Sequence, residues 1–214
     1  MNILITGTSR GIGKGIAVKF LENGHDVIGF DLLESSINHP NYKHYQIDIR
    51  SKELPELKDI DILINNAGTQ EISDAISTNL LGTMNICDKY VNKNLKSILF
   101  IGSASARNGA EFPEYVASKG GMTSFMKNLA LKVAEFGCTC NSIAPGGVLT
   151  ESNAHIINDE IKYQKVLNET LLNKWANVEE VADLAYFLTV INKSITGEDI
   201  LIDNGEMLKS NFIW

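Results

Sequence analysis

The run Ile3-Leu4-Ile5-Thr6-Gly7-Thr8-Ser9-Arg10-Gly11-Ile12-Gly13 decides how this chain is read. A short apolar strand feeds a glycine-rich turn, and apolar residues then recur at helical spacing through Ile16, Ala17, Phe20 and Leu21 before Asn23-Gly24 closes the helix. Working outward, further strands are predicted at 27–30, 44–47, 60–64, Ser97–Ile101, 139–144 and Asp199–Ile202. Helices are predicted at 73–92, from Pro113 (at the N1 position) to about 136, and at 178–189. Residues 150–173 read as polar and irregular. Strand and helix alternate throughout, which predicts an α/β fold: a doubly wound parallel sheet in three layers, one domain over residues 1–214.

Composition narrows the function classes. The 214 residues suffice for one full core, with 44% hydrophobic and 21% charged residues. A net charge of −7 with no Lys/Arg-rich run argues against a nucleic-acid partner. The longest apolar run, Ile98-Leu99-Phe100-Ile101, is far too short to span a bilayer, so no membrane partner is expected. No basic n-region precedes the first strand, and a secretion signal is not expected. Cys87, Cys138 and Cys140 form no even framework, pointing to free thiols and a cytoplasmic location. His25, His39, His44 and His155 lack metal spacing, and no metal site is predicted.

The first turn has three candidate chemistries. Between strand and helix, its N–H groups and the helix dipole attract a pyrophosphate, and glycines let the phosphates approach. A P-loop would need Gly at position 8 and Ser or Thr after Lys14; Thr8 and Gly15 break both requirements. Gly7-Thr8-Ser9-Arg10-Gly11 matches a nucleophile elbow, but that elbow needs an oxyanion loop from an earlier strand, and none is read before Ile3. Asp31 closes the second strand where an acid reaches a dinucleotide's ribose. Its carboxylate accepts from both ribose hydroxyls and repels a 2′-phosphate, favouring NAD. Arg10 could pair with that phosphate, so NADP stays open.

A second cluster spans residues 103–119. Tyr115 and Lys119 stand one helical turn apart and share a face. A phenol ionises near ~10, and lowering it by ~2–3 pH units takes roughly 3–4 kcal/mol. An ammonium ~4–5 Å away at an effective dielectric of ~20 supplies about that much. On this reasoning Lys119 alone makes Tyr115 a general acid/base, with Ser103 bonding the same substrate oxygen.

Taken together, these motifs resemble the short-chain dehydrogenases/reductases of the single-domain Tyr-x-x-x-Lys type. The carrying residues are the glycine turn Thr6 to Gly13, Asp48, Asn65-Asn66-Ala67-Gly68, Asn79, Ser103, Tyr115, Lys119, Pro145-Gly146 and Thr150. The resemblance implies a Rossmann fold and a carbonyl/secondary-alcohol oxidoreductase using NAD, with NADP possible. It implies a cofactor cradle from Gly7, Ser9, Arg10, Gly11, Ile12 and Gly13, with Asp31 at the adenosine ribose. Asp48 and the Ile49 backbone would meet the adenine, and Asn66, Ala67 and Gly68 would pass beside the ribose. Pro145, Gly146, Val148 and Thr150 would frame the nicotinamide. Tyr115 would handle the proton, Lys119 would lower its pKa and hold the ribose hydroxyls, Ser103 would bind the substrate oxygen, and Asn79 would hold a water leading from Lys119.

This sequence departs from the family pattern in places. The Ser103–Tyr115 spacing is one residue short, which keeps Ser105 as an alternative. The 48–65 connection, with Pro55 inside it, is too short for a full helix. Resemblance also implies a homodimer or homotetramer, using the small-residue face Ala117, Ser118, Gly120 and Gly121. The expected partner is a small carbonyl or alcohol. The alternatives are an NADPH-dependent 3-oxoacyl-acyl-carrier-protein reductase, with Arg107 meeting an acidic carrier, and a catalytically silent dinucleotide sensor.

Overall fold

Strand β1 (Asn2–Thr6) buries Ile3, Leu4 and Ile5 completely, because it lies mid-sheet with helices on both faces. Its alternating side chains feed two separate cores. Ile3 and Ile5 join the cluster containing Ile16, Phe20 and Val181, while Leu4 joins the one containing Phe30, Phe100 and Met126. The computed structural model describes residues 1–209.

The chain continues through α1 (Gly11–Glu22), β2 (Asp26–Asp31), β3 (Tyr42–Gln46) and β4 (Ile62–Asn65). A π-helical segment, Ile76–Gly82, runs directly into α2 (Thr83–Tyr90). Then come β5 (Ser97–Ile101), a single turn α3 (Ser105–Asn108), and the long α4 (Pro113–Val133), with Pro113 at its first turn. β6 (Thr139–Pro145), α5 (Ala154–Ile157), α6 (Glu160–Leu167), α7 (Val178–Tyr186) and β7 (Asp199–Ile202) complete the order. Among the described residues all seven strands are parallel, in the order β3-β2-β1-β4-β5-β6-β7. α1 packs with α7 on one face, and α4 packs with the π-helical segment on the other. This is a doubly wound Rossmann sheet, and its order reverses between β1 and β4, where a crevice opens at the carboxyl ends.

Two predicted elements differ. Residues 150–173 are not irregular: they hold α5 and α6, and Asp159 caps α6 by accepting from the Lys162 N–H at 3.0 Å. Helices this short carry too few turns for periodicity to reveal them. The helix predicted at 73–92 begins with a π-helical stretch rather than a regular turn. The 48–62 connection is free of helix; Pro55 accepts from the Tyr90 hydroxyl at 2.7 Å, which ties the connection to α2.

Candidate active site

Every motif of the sequence reading sits at the carboxyl edge of the sheet, around a cavity of about 890 Å³. All the predicted site residues except Ser9, Gly13 and Asn79 line it. Those three act from behind the wall.

At one end lies the glycine turn. Gly7 has φ +76° and Gly11 φ +55°, backbone that side chains with a Cβ rarely adopt. A Cβ on Gly13 would fall 2.0 Å from the Gly7 carbonyl oxygen and 2.3 Å from Asn66 Nδ2, so α1 closes on the turn only with glycine there. Asn66 Nδ2 donates to the Thr6 and Gly7 carbonyls at 2.9 and 3.0 Å, and Thr6 Oγ1 accepts from the Asn66 and Ala67 N–H groups. These bonds lock together the ends of β1 and β4. The Asp31 carboxylate accepts from the Ser9 and Leu33 N–H groups, both at 2.9 Å, which holds it beside the turn. Helix α1 has no acid in its first turn and no side-chain cap. Glu151 supplies the missing carboxylate, accepting from the Gly11 N–H at 3.1 Å.

Asp48, which the resemblance places at the adenine together with the Ile49 backbone, pairs with Arg50. The Arg50 backbone N–H, Nε and Nη2 all bond its carboxylate at 2.7–3.0 Å, holding its pKa below the usual range. The signal lay two positions downstream: an Asp-x-Arg turn pairs locally once the chain bends there.

At the other end, Tyr115 and Lys119 lie on the first two turns of α4. Lys119 is only 5% exposed; its Nζ donates to the Ile101 carbonyl at 2.8 Å and sits 5.8 Å from the Tyr115 ring centroid. The expectation that Lys119 alone depresses the phenol pKa is not met. Burial pushes Tyr115 up to about 12, Ser103 pulls the other way, and Glu111 adds to the rise. Burial likewise lowers Lys119 to about 8, against the pull of Glu111. The physical reason is desolvation: stripping water from each group disfavours its charged form.

The two serines are distinguishable by geometry. Ser103 Oγ accepts from the Ser105 N–H at 3.2 Å and the Ser105 hydroxyl at 2.8 Å. Its own proton is therefore the one left to point elsewhere. Asn79, inside the π-helical segment, spends its amide on protein partners. Its Oδ1 accepts from the Thr69 N–H at 2.8 Å, and its Nδ2 donates to the Thr69 carbonyl and to Ser118 Oγ. Ser118 in turn donates to the Tyr115 carbonyl at 2.7 Å, so Asn79 steadies the first turn of α4. Ser118 is thus turned inward, and a Cβ on Gly121 would come within 3.0 Å of Leu80. Half of the small-residue face read as an oligomer contact is spent inside the chain.

Three carboxylates gather at this end. Glu111, at φ +80°, accepts from Gln70 Nε2 at 2.9 Å and lines the cavity with Glu169 and Glu206. Burial raises the Glu206 pKa, and Asp203, Glu169 and Glu111 raise it further. Separations of 37 to 95 positions in sequence hid the cluster. Arg107 is not poised toward an outside partner: its guanidinium bonds Asp199, which also accepts from the Ser142 hydroxyl at 2.5 Å.

A family model described as short chain dehydrogenase matches residues 1–161. This chain belongs to the short-chain dehydrogenases. It is 33% identical to 3-oxoacyl-acyl-carrier-protein reductase FabG of Buchnera aphidicola subsp. Acyrthosiphon pisum, over 94% of this chain and 95% of that one. It is 29% identical to 2-dehydro-3-deoxy-D-gluconate 5-dehydrogenase of Pseudoalteromonas atlantica, covering 95% and 94%. Among solved structures, a 4-hydroxyisoleucine dehydrogenase complexed with NADH superposes with a TM-score of 0.85 at 25% identity, covering 98% and 99%. As a short-chain dehydrogenase, the protein is an NAD(P)-dependent oxidoreductase that interconverts carbonyl and alcohol groups by hydride transfer. The residues present fit such a cofactor. One cavity joins an anion-attracting glycine turn and the Asp31 ribose acceptor to a buried ammonium and phenol.

Proposed function

We propose that this chain is a single catalytic domain that uses NAD(H) in preference to NADP(H) to interconvert a small secondary alcohol and its ketone. The observation that carries the reading is one cavity bounded by Asp31 at one end and Ser103, Tyr115 and Lys119 at the other. When bound, the nicotinamide supplies or accepts the hydride.

The glycine turn residues Gly7, Arg10, Gly11 and Ile12 receive the diphosphate, with Ser9 and Gly13 shaping it from behind. Asp31, held by the Ser9 and Leu33 N–H groups, accepts from the adenosine ribose hydroxyls and repels a 2′-phosphate. Asn66, Ala67, Gly68, Pro145, Gly146, Val148 and Thr150 enclose the nicotinamide half. Ser103, whose lone pairs are taken by Ser105, donates its proton to the substrate oxygen. Tyr115 keeps its proton across the neutral range, the form needed to donate to the developing alkoxide during carbonyl reduction. Lys119 places a buried cation near the phenol, where it would hold the ribose hydroxyls of the bound cofactor, and Asn79 fixes the turn that carries both.

Glu111, Glu169 and Glu206 at the substrate end turn anionic substrates away. The acyl-carrier alternative is further disfavoured by the net charge of −7 and by the tied Arg107, neither of which attracts an acidic carrier. Three buried free thiols support a reducing cytoplasm. Exposed Ile76 and Leu81 beside α4, and open space at Gly120, support a homodimer or homotetramer.

The test is a panel of matched secondary alcohols and ketones, neutral and carboxylate-bearing, assayed with both cofactors. The reading expects turnover of neutral members with NAD(H). Binding of NADH with no turnover anywhere would return the silent-sensor alternative, and strict NADPH use would favour the acyl-carrier one.

A further inference from the structure

Arg50 belongs to no motif of the fold, yet it lines the cavity on the Asp31 side, between Asp48 and Asp74. Its Nε bonds both oxygens of Asp48 at 3.0 Å, Nη2 bonds Oδ2 at 2.7 Å, and Nη1 reaches Asp74 at 3.1 Å. With the Arg50 backbone N–H at 2.8 Å, the Asp48 carboxylate accepts from three N–H groups, all of them Arg50's, the Nε–H being shared between its two oxygens. The Arg50 stem runs close to Gly82, where a Cβ would stand 3.4 Å from its Cγ.

Guanidinium hydrogen bonds lie in the plane of the group. Two carboxylates that engage its edge therefore leave its faces bare, and a bare planar cation attracts an aromatic ring. Ile47, Ile49 and Leu33 line the same part of the cavity and supply apolar walls around it. The geometry points to Arg50 as the adenine-binding residue of this protein: its guanidinium, splayed flat by Asp48 and Asp74, stacks on the base, and the Asp48 side chain does not read the adenine amino group. This rests on the dinucleotide reading above. Asp48 and Asp74 become positioning residues that orient the plane.

The test measures binding, not turnover. Wild type, Arg50→Ala and Arg50→Lys are titrated with NADH, with its hypoxanthine analogue (which lacks the 6-amino group) and with reduced nicotinamide mononucleotide (which lacks the base). Wild type should bind the adenine and hypoxanthine dinucleotides within about threefold of each other. Arg50→Ala should weaken NADH about tenfold, the upper part of the range expected for a cation–π contact, with the mononucleotide unchanged. Arg50→Lys keeps the ion pair, and with it the fold, but loses the plane, so it should weaken NADH similarly. In Arg50→Ala the freed Asp48 carboxylate should restore a preference for adenine over hypoxanthine. Unaltered NADH affinity in Arg50→Ala, equal weakening of the mononucleotide, or a tenfold wild-type preference for adenine would each overturn the inference. Wild type that binds the mononucleotide but neither dinucleotide would overturn it while leaving the catalytic end standing; binding of none of the three would overturn the dinucleotide reading itself.

Discussion

Replacing Lys119 by methionine should stabilise the cofactor-free fold at neutral pH while abolishing turnover, and the stabilisation should reverse in alkali. Burial lowers Lys119 from 10.5 to about 8, which at about 1.4 kcal/mol per pH unit corresponds to a charge-burial penalty of about 3 kcal/mol. Methionine removes that penalty and also the hydrogen bond to the Ile101 carbonyl, which is worth about 1 kcal/mol. The variant should therefore be about 2 kcal/mol more stable at pH 7, or roughly 4–8 °C in Tm for a chain of this size. Because the folded value lies below the unfolded one, the unfolded chain holds the extra proton between pH 8 and 10.5. Wild-type stability relative to the variant thus rises through that window. Above pH 10.5 the penalty is gone and wild type should lead by about 1 kcal/mol. Urea melts of both proteins from pH 7 to 11 measure the difference, in which titrations common to the two cancel. A difference that stays flat with pH, or a variant less stable at pH 7 than at pH 10.5, would refute the reasoning.

Three further substitutions probe the site. Tyr115→Phe should cut turnover about 10²–10⁴-fold while NADH affinity stays within about threefold; undiminished turnover removes Tyr115 from proton transfer. Asp31→Ser should shift the ratio of kcat/KM for NADP over NAD by at least about tenfold, about 1.4 kcal/mol, read by steady-state kinetics with both cofactors. An unchanged or already NADP-favouring ratio counts against NAD preference. Gly13→Ala drives a methyl group into the Gly7 carbonyl, so melting should show a loss of about 1–3 kcal/mol, and NADH titration a loss of more than tenfold; normal binding would mean that the turn is not closely packed.

What the chain determined by itself is whatever depends on neighbours in sequence. The apolar run before Gly7, the 3.6-residue period after Gly11 and the one-turn spacing of Tyr115 and Lys119 are local patterns. They fix strand, turn, helix and a shared face without reference to distant residues. Helices α5 and α6 escaped because a helix of one or two turns has too short a period to stand out from a polar loop. Tertiary structure alone decided which partners each site residue keeps and how much water reaches it. Arg50 bridges to Asp74, Glu151 reaches the Gly11 N–H across 140 positions, and Glu111 and Glu206 both line the cavity. Dielectric followed the same rule. The spacing of Tyr115 and Lys119 implied mutual stabilisation, but the packing around them removed the solvent, and desolvation, a property of the whole surrounding fold, moved both groups toward neutrality.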